Sequence, residues 1–460
     1  MSNAFSMTLT QAANAIGANY KGEDVMLHGV STDTRTLEAG QLFIALKGPN
    51  FDGHDYIIQA LEKGAVASMV SESHEQCSEI QVEDTRLGLG QLAKVWREQL
   101  EFPVIAVTGS NGKTTVKEML ASICKQETGT ADKVLSTKGN LNNDIGMPLT
   151  LLQLGRHHEY AVIEMGANHS GEIKYLSEIA KPDIAVITNA GAAHLEGFGS
   201  LEGVARAKGE VFTSLGDDAT AIVNADDAFC SLWLDMIKKT SDKIKIVTFA
   251  LNNNADVTAN WNMSSEGSKL EVKTPHGQFN VALALLGEHN IMNALAAVAA
   301  AIAAGISIRA IQQGLNTMQA IPGRLELKAG MNGSRIIDDT YNANPSSLSV
   351  AIHVLKTFPG SHYLALGDMG ELGTDAIGIH QRAGEEAKRE GISQLYTIGT
   401  MARAAAKTFG SNADAFEEHH VAVNKIKNDL DSNVTLLVKG SRLSHMERVV
   451  DALTLGIGGD

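Results

Sequence analysis

The run Val104-Ile-Ala-Val-Thr-Gly-Ser-Asn-Gly-Lys-Thr-Thr115 joins an apolar stretch to a glycine-rich turn that ends in a lysine and two threonines. Backbone N–H groups in such a turn, together with the positive end of a following helix, suit a triphosphate. Lys113 could reach the terminal phosphate oxygens, and the hydroxyl of Thr114 could hold Mg²⁺. The predicted nucleotide-binding residues of this turn are Gly109, Ser110, Asn111, Gly112, Lys113, Thr114 and Thr115.

The spacing of this turn departs from the general phosphate-loop pattern. That pattern has a glycine five residues before Gly112, where this chain has Val107, and the usable glycine is Gly109. The alternative is a tight strand-to-helix turn whose lysine is merely solvated. A phosphate loop alone does not indicate which reaction the protein catalyses. The polar residues at the ends of neighbouring strands can indicate it.

One carboxylate further along the chain could supply a ligand for Mg²⁺. Glu164 ends an apolar run, which predicts a carboxylate at the carboxyl edge of a parallel sheet, where ligands gather and where an oxygen ligand suits Mg²⁺. The alternative is a strand-end glutamate satisfied by a helix N-terminus. His194 also follows a strand, and Lys208 lies in a helical run. Taken alone, these two are ordinary loop and surface residues.

Composition limits the class of protein. The chain has 460 residues, 44% of them hydrophobic and 20% charged, which is typical of a globular protein of about three domains. No apolar run reaches the roughly 18 residues that span a bilayer, so we expect a cytoplasmic protein with no membrane span. The formal net charge of −15 argues against a nucleic-acid partner. Cys77, Cys124 and Cys230 lie too far apart for a CxxC motif.

Strand and helix patterns alternate along the chain and predict an α/β fold of three domains. The predicted domains are a small α/β domain at 1–102, a central domain with a parallel mononucleotide-binding sheet at 103–322, and a Rossmann-like domain at 323–460. Central strands are predicted at 160–164, 183–188, 219–224 and 245–249, with an antiparallel edge at 256–281.

Seven motifs together resemble a known family. They lie at 108–115, 164–166, 189–194, 207–210, 287–293, 323–324 and 339–345. This order is similar to that of Mur ligases, the three-domain, ATP-dependent amide ligases of peptidoglycan synthesis. The resemblance spans nearly the whole chain.

The resemblance implies ATP and two Mg²⁺ ions as cofactors. It places metal ligands at Thr114, Glu164, His194 and Lys208, and catalytic roles at Lys113, Lys208 and His194. In these ligases the lysine matching Lys208 is carbamylated, which is physically reasonable because a carbamate anion would hold Mg²⁺ that an ammonium would repel. The further nucleotide-site positions that it implies are Asn290, Asn293, Arg324 and Asp339, with Lys439 on the closing face.

The run 339–346 resembles the corresponding run in one branch of the family. The enzymes of that branch add D-alanyl-D-alanine to UDP-N-acetylmuramoyl-tripeptide through an acyl phosphate. Other branches carry histidine in that run, and this chain has no Asp-Asn-Pro-Arg motif. The segments 31–35, 40–48 and 51–55 resemble the family's UDP-sugar-binding domain, and 137–146 resembles its muramyl-peptide loop. The implied substrate-binding residues are Ser31, Thr32, Arg35, Lys47, His54, Asp55, Asn140, Asn142, Asn143, Asn342 and Asn344.

Two alternatives stay open from the residues. One is a folylpolyglutamate synthase-like ligase, which shares the ATP chemistry, and the other is a regulatory ATPase with a phosphate loop. We expect a monomer. The resemblance is compatible with either diaminopimelate or lysine as the third residue of the tripeptide.

Overall fold

The computed structural model describes residues 5–74, 77–191 and 195–454, without the side chains of residues 195 and 196. It confirms the predicted fold class, because three α/β units follow one another along the chain. Among the described residues, no helix is long and apolar enough to cross a membrane.

The first unit contains a five-stranded sheet in the order β2-β9-β8-β5-β4. Its pairs are parallel except β2 with β9. The strands are β1 Ser6–Thr8, β2 Asn19–Lys21, β3 Met26–His28, β4 Val30–Ser31, β5 Leu42–Ile44, β6 Lys47–Gly48, β7 Phe51–Asp52, β8 Ala67–Val70 and β9 Glu79–Gln81. The helices are α1 Leu9–Ala15, α2 Ile57–Glu62 and α3 Thr85–Arg97.

The central unit is built on a six-stranded, fully parallel sheet in the order β11-β12-β10-β13-β14-β15. Its strands are β10 Val104–Thr108, β11 Val134–Ser136, β12 Tyr160–Glu164, β13 Ile184–Ile187, β14 Thr220–Asn224 and β15 Lys245–Phe249. Its helices are α4 Lys113–Thr128, α5 Gly146–Leu151, α6 Glu172–Ala180, α7 Leu195–Phe198, α8 Leu201–Gly209, α9 Cys230–Thr240, α10 Glu288–Ala303 and α11 Ile308–Asn316.

The position of β10 decides where the site forms. Because β10 lies between β12 and β13, Val107 pairs with Glu164 and Thr108 pairs with Ile187. The ends of these three buried, parallel strands therefore meet at one edge of the sheet, where ligands of such folds bind.

The segment predicted as an antiparallel edge is antiparallel but is not an edge of the central sheet. The strands β16 Thr258–Ser264, β17 Gly267–Thr274 and β18 Gly277–Leu283 form a sheet of their own. Along β18 buried and exposed residues alternate, and the buried side packs in the core that also contains α10 and α11. These strands turn one face to helices and pair with one another. Within the described ranges, the bridge between Phe249 and Val257 is their only β-pairing towards the central sheet.

The third unit has a six-stranded sheet in the order β19-β20-β24-β21-β22-β23, parallel except at β19. Its strands are β19 Glu326–Ala329, β20 Arg335–Asp339, β21 Ser361–Gly367, β22 Gln394–Ile398, β23 Ala413–Phe416 and β24 Val434–Lys439. Its helices are α12 Pro345–Leu355, α13 Ala376–Arg389, α14 Arg403–Phe409, α15 His419–Asp429 and α16 Glu447–Leu453. The apolar residues of α12 to α14 and those of α15 and α16 belong to two separate cores, as in a Rossmann-like unit.

Helix α3 fastens the first unit to the central one. A single apolar core contains residues of both units, including Leu92, Trp96 and Leu176. The Trp96 indole N–H also donates to the Leu154 carbonyl at 2.9 Å, and the buried Arg97 donates to the Ala180 carbonyl at 3.1 Å. The domain boundaries at residues 103 and 323 stay predictions.

Candidate functional site

The glycine-rich turn follows β10 directly and begins α4 at Lys113. Its two glycines are required by geometry. Gly109 has φ 141° and Gly112 has φ 81°, and a methyl group would stand 2.0 Å from Thr188 Oγ1 at the first and 2.3 Å from Asn293 Oδ1 at the second. The turn therefore approaches β13 and α10 more closely than any other residue type allows.

Residues that directly follow β13 hold the turn in place. The Asn111 N–H donates to Asn189 Oδ1 at 3.0 Å, and the Thr188 hydroxyl donates to the Asn111 carbonyl at 2.6 Å. The Ser110 N–H donates to the Asn189 carbonyl at 2.9 Å. Thr188 and Asn189 were not predicted as site residues, although their place just after a buried strand was the signal that could have found them.

Lys113 lies over the turn that precedes it. Its Nζ donates to the carbonyls of Gly109 at 2.7 Å and Ser110 at 3.1 Å. Burial lowers the pKa of the amine and the nearby Arg324 lowers it further, while Glu164 raises it. An ammonium has three donors, so one remains for a ligand oxygen.

Glu164 supplies the carboxylate beside the turn and is only 2% exposed. Its Oε2 accepts from the Thr114 hydroxyl at 2.9 Å and its Oε1 from the Asn142 amide at 2.7 Å. Carboxylate, hydroxyl and amide oxygens suit Mg²⁺, which is bound through one or two carboxylates together with substrate phosphates. Across the described ranges, no group of three or more His, Cys, Asp and Glu side chains could hold a metal ion. The oxygens of Thr114 and Glu164 fit Mg²⁺ that is shared with a phosphate.

Lys208 is 1% exposed, and its Nζ donates to the Ala167 carbonyl at 3.3 Å. The amine also lies 5.3 Å from the centre of the Phe198 ring. Burial and then the positive charge of Lys113 lower its pKa to about 7, far below the usual range of a lysine. His194, predicted as a metal ligand and catalytic residue, lies outside the described residues.

Asn290 and Asn293 lie on one face of α10, and each is 5% exposed. The Asn293 amide donates to Asn290 Oδ1 at 3.1 Å, and the Asn290 amide donates to the Leu286 carbonyl at 2.8 Å. The neighbouring His289 was not predicted, and burial lowers its pKa to about 4, so its imidazole is neutral at physiological pH.

The third unit contributes Arg324 and the end of β20 to the site around the glycine-rich turn. The Arg324 Nη2 donates to the Thr114 hydroxyl at 2.9 Å, and its guanidinium lies 4.1 Å from the centre of the Tyr341 ring. Asp339 pairs with the buried Lys439 at 2.5 Å. Lys439 also donates to the Asn342 carbonyl at 2.9 Å, so a cation at the end of β24 fixes the segment after β20.

The start of α12 contacts the glycine-rich turn directly. Asn344 caps this helix by accepting from the Ser347 N–H at 2.8 Å, and its amide donates to Asn111 Oδ1 at 3.1 Å. The Asn111 amide donates to the Ser346 hydroxyl at 3.2 Å. These hydrogen bonds join the third unit to the central unit.

A cavity of about 1070 Å³ lies between the three units. The predicted site residues that line it are Ser110, Asn111, Gly112, Lys113, Thr114, Thr115, Asn140, Asn142, Asn143, Glu164, Asn290, Asn293, Arg324, Asp339, Asn342 and Asn344. Lining residues that were not predicted include Arg86, Asp144, Tyr175, His289 and Tyr341. His289, Tyr341 and Asp144 lie inside the segments 287–293, 339–345 and 137–146 that carry the resemblance, but their individual roles were not predicted. Arg86 and Tyr175 belong to none of these segments.

Six predicted substrate residues of the first unit do not line this cavity: Ser31, Thr32, Arg35, Lys47, His54 and Asp55. Three of these make local ion pairs, because Arg35 pairs with Asp33 at 2.7 Å and both Lys47 and His54 pair with Asp52. The uridine-binding role of the six residues stays a prediction.

The fold and the site define a class of protein. It is an α/β enzyme whose phosphate loop, buried carboxylate and third unit enclose one cavity. Three sequence profiles match the chain: the Mur ligase family catalytic domain at 26–97, the Mur ligase middle domain at 107–301, and the Mur ligase glutamate ligase domain at 323–442. The chain belongs to the Mur ligase family.

Relatives that share one enzyme name match the chain over nearly its full length. The UDP-N-acetylmuramoyl-tripeptide–D-alanyl-D-alanine ligase of Escherichia coli (strain K12) is 43% identical over 97% of this chain and 98% of its own length. The same ligase of Bacillus subtilis (strain 168) is 37% identical over 95% of each. Crystal structure I of MurF from Acinetobacter baumannii is 36% identical, with a TM-score of 0.90 over 98% of this chain and 99% of that one. MurF from Thermotoga maritima in complex with ADP is 27% identical, with a TM-score of 0.81 over 92% of this chain and 96% of that one.

Proposed function

We propose that the chain joins D-alanyl-D-alanine to UDP-N-acetylmuramoyl-tripeptide at the expense of ATP, in the synthesis of peptidoglycan precursors. The relatives that match over nearly the full length carry this activity in their names. The observation that carries the proposal is the cavity in which the phosphate loop, Glu164 and the residues of the third unit meet. A nucleotide, a peptide carboxylate and an amine can be brought together there.

The reaction has two steps. The terminal carboxylate of the tripeptide attacks the γ-phosphorus of ATP, the bond to the β-phosphate oxygen breaks, and ADP leaves. The amine of D-alanyl-D-alanine then attacks the carbonyl of the acyl phosphate, the amide forms, and inorganic phosphate and a proton are released. Catalysis of this kind consists mainly of positioning reactants and stabilising charge. Lys113 and Arg324 supply fixed positive charge beside Thr114, where the phosphates would lie.

Mg²⁺, when bound, neutralises phosphate charge and polarises the transferred phosphoryl group. The residues that would hold it are Thr114 and Glu164, whose oxygens already lie 2.9 Å apart. Asn142 orients the carboxylate by donating to its second oxygen. The sequence resemblance adds His194 and a second ion, and this part of the proposal rests on the resemblance alone.

We also propose that Lys208 carries a carbamate. The neutral amine attacks CO₂, a C–N bond forms, and one proton is released. A pKa of about 7 supports this, because roughly half of the amine is uncharged at neutral pH. The resulting anion would stand near Lys113, where the ammonium is unfavourable. A mass increase of one CO₂ on intact protein measured at neutral pH, absent from Lys208→Met, tests this.

Closure of the third unit over the central one would protect the acyl phosphate, which hydrolyses in water. The contacts of Arg324 with Thr114 and of Asn344 with Asn111, which join the two units at the phosphate loop, support this closure. Asp339 and Lys439 then line the same cavity as Lys113.

Product analysis tests the proposal. Purified protein with ATP, Mg²⁺, the muramyl tripeptide and D-alanyl-D-alanine should yield the pentapeptide, ADP and phosphate in equal amounts. Replacing the dipeptide by glutamate tests the folylpolyglutamate synthase-like alternative. The solved folylpolyglutamate synthase of Mycobacterium tuberculosis is 16% identical with a TM-score of 0.65, a likeness of fold alone. ATP hydrolysis that ignores both acceptors would refute the ligase and favour a regulatory ATPase.

Location in the cytoplasm and a monomeric state remain predictions from the sequence.

A further inference from the structure

An ion pair lines the cavity at the side of the first unit, and the proposed phosphoryl chemistry does not use it. Arg86 Nη1 lies 2.8 Å from Asp144 Oδ2, and both residues line the cavity. Arg86 comes from the first turn of α3, and Asp144 comes from the loop that precedes α5. The pair therefore spans two units and lies beside the space that the tripeptide must enter.

The local structure holds both charges in place. Asp84 caps α3 by accepting from the N–H groups of Arg86 at 2.7 Å and Leu87 at 3.2 Å. Asn143 Oδ1 accepts from the Gly146 N–H at 2.8 Å, which fixes the loop that carries Asp144. The site is therefore built on a helix start and a capped loop rather than on two mobile side chains alone.

The pair is not needed to fasten the first unit to the central one. A continuous apolar core together with the hydrogen bonds of Trp96 and Arg97 already makes that connection. The side chains of Arg86 and Asp144 are 53% and 33% exposed, and ion pairs as exposed as this contribute little to stability. Binding of a charged ligand accounts better than stability for two charges at the wall of a reaction cavity.

A buried hydroxyl beside the pair also lacks a partner. The Tyr175 hydroxyl has no hydrogen-bond partner among the described residues, although Tyr175 lines the same cavity. It is within electrostatic range of both charges, since burial and Asp144 raise the pKa of the phenol while Arg86 lowers it. Buried polar groups are nearly always hydrogen-bonded, so an unpartnered one is accounted for by a ligand or a water molecule.

The charges match one of the two possible third residues of the tripeptide. The side chain of diaminopimelate ends in a carbon that carries both an ammonium and a carboxylate, whereas that of lysine ends in an ammonium alone. A guanidinium binds a carboxylate through two parallel hydrogen bonds, and an adjacent aspartate suits the ammonium. A substrate group with a carboxylate only, such as that of the glutamyl residue, would be repelled by Asp144.

We propose that Arg86 and Asp144 recognise the zwitterionic end of the third residue and make the chain selective for the diaminopimelate tripeptide. This inference rests on the proposed function. Arg86 binds the distal carboxylate and Asp144 the distal ammonium. With the lysine tripeptide, Arg86 is left without a partner whenever Asp144 turns to the ammonium, and that unpaired charge is the source of discrimination.

Steady-state kinetics with the two tripeptides, at saturating ATP, Mg²⁺ and D-alanyl-D-alanine, test the inference. Wild-type protein should have a kcat/KM about tenfold or more higher with the diaminopimelate tripeptide, chiefly through KM. Arg86→Ala should remove this preference by lowering kcat/KM for that tripeptide alone, and Arg86→Lys should restore little because an ammonium cannot form the paired contact. Arg403→Ala is the matched control, because Arg403 forms an equally short, exposed ion pair with Glu417 far along the chain.

A charge-reversed double variant separates recognition from a structural role. Arg86→Asp with Asp144→Arg keeps an ion pair between the two units, so a purely structural pair would return full activity with both tripeptides and overturn the inference. Continued loss of the preference would support it. Equal use of both tripeptides by the wild type, or an equal loss with both in Arg86→Ala, would overturn it too. Absence of product with either tripeptide in the wild type would instead refute the proposed function.

Discussion

Adding one methyl group at Gly112 tests whether the glycine-rich turn and α10 form a single nucleotide site. In Gly112→Ala the new methyl would stand 2.3 Å from Asn293 Oδ1, so either the turn or Asn293 must move. Moving Asn293 breaks its 3.1 Å hydrogen bond to Asn290 and misplaces one proposed nucleotide contact. Two hydrogen bonds at about 0.5–1.5 kcal/mol each amount to about 1–3 kcal/mol, or roughly 5- to 150-fold weaker ADP binding.

Gly129→Ala is the control for backbone strain. Gly129 has φ 75° at the other end of α4, close to the 81° of Gly112, but a methyl there meets nothing within 4 Å. Both variants therefore carry the cost of a left-handed alanine, about 1–2 kcal/mol, and both should melt at lowered temperatures, Gly112→Ala at the lower one because of its contact with Asn293. Only Gly112→Ala should also lose ADP affinity.

Isothermal titration with ADP and Mg²⁺ measures the affinity, and thermal melting measures the common strain. Wild-type affinity in Gly112→Ala would refute the placement of the nucleotide against the turn and α10. An equal loss of affinity in both variants would show that strain in α4, rather than the contact with Asn293, is responsible.

Other residues of the site lead to three further expectations. Lys113→Ala should abolish turnover while UDP-N-acetylmuramoyl-tripeptide still binds in a calorimetric titration; loss of both would contradict separate nucleotide and uridine sites. Lys208→Ala should regain part of its activity when short-chain carboxylic acids are added, and no rescue would weaken the carbamate assignment. The pKa of Lys208 is lowered from 10.5 to about 7, so between these pH values the unfolded chain binds a proton that the folded chain does not, and stability should rise with pH. Melting temperatures of metal-free, CO₂-free protein should show this rise in the wild type relative to Lys208→Met, and parallel curves would refute the lowered pKa.

The chemistry at strand ends could be predicted because it is local in sequence. The turn at 109–115 and Glu164 each follow an apolar run, and the parallel sheet brings the two runs side by side. The apolar pattern alone indicates a helix over 87–100, whereas α3 begins at Thr85 because the Asp84 side chain caps it there. The short strand Ala413–Phe416 carries no clear strand signal in the sequence, since Ala-Asp-Ala-Phe has no β-branched residue.

What the sequence could not reveal depends on tertiary placement. Asn142 was predicted to bind substrate, and that role stays a prediction. Its amide also donates to Glu164, a contact between a loop and a strand end that no spacing encodes. Arg86 and Asp144 lie 58 residues apart and meet only because α3 packs on the central unit. The resemblance supplied roles for Lys208 and Asp339 that their residue types alone do not indicate.

The fate of one oxygen atom tests the central claim most directly. The tripeptide is prepared with the heavy isotope of oxygen in its terminal carboxylate and incubated with the protein, ATP, Mg²⁺ and D-alanyl-D-alanine. If the cavity activates that carboxylate as an acyl phosphate, each inorganic phosphate released should carry one heavy oxygen, and the new amide should keep the other. Unlabelled phosphate, with its fourth oxygen from water, would contradict the account.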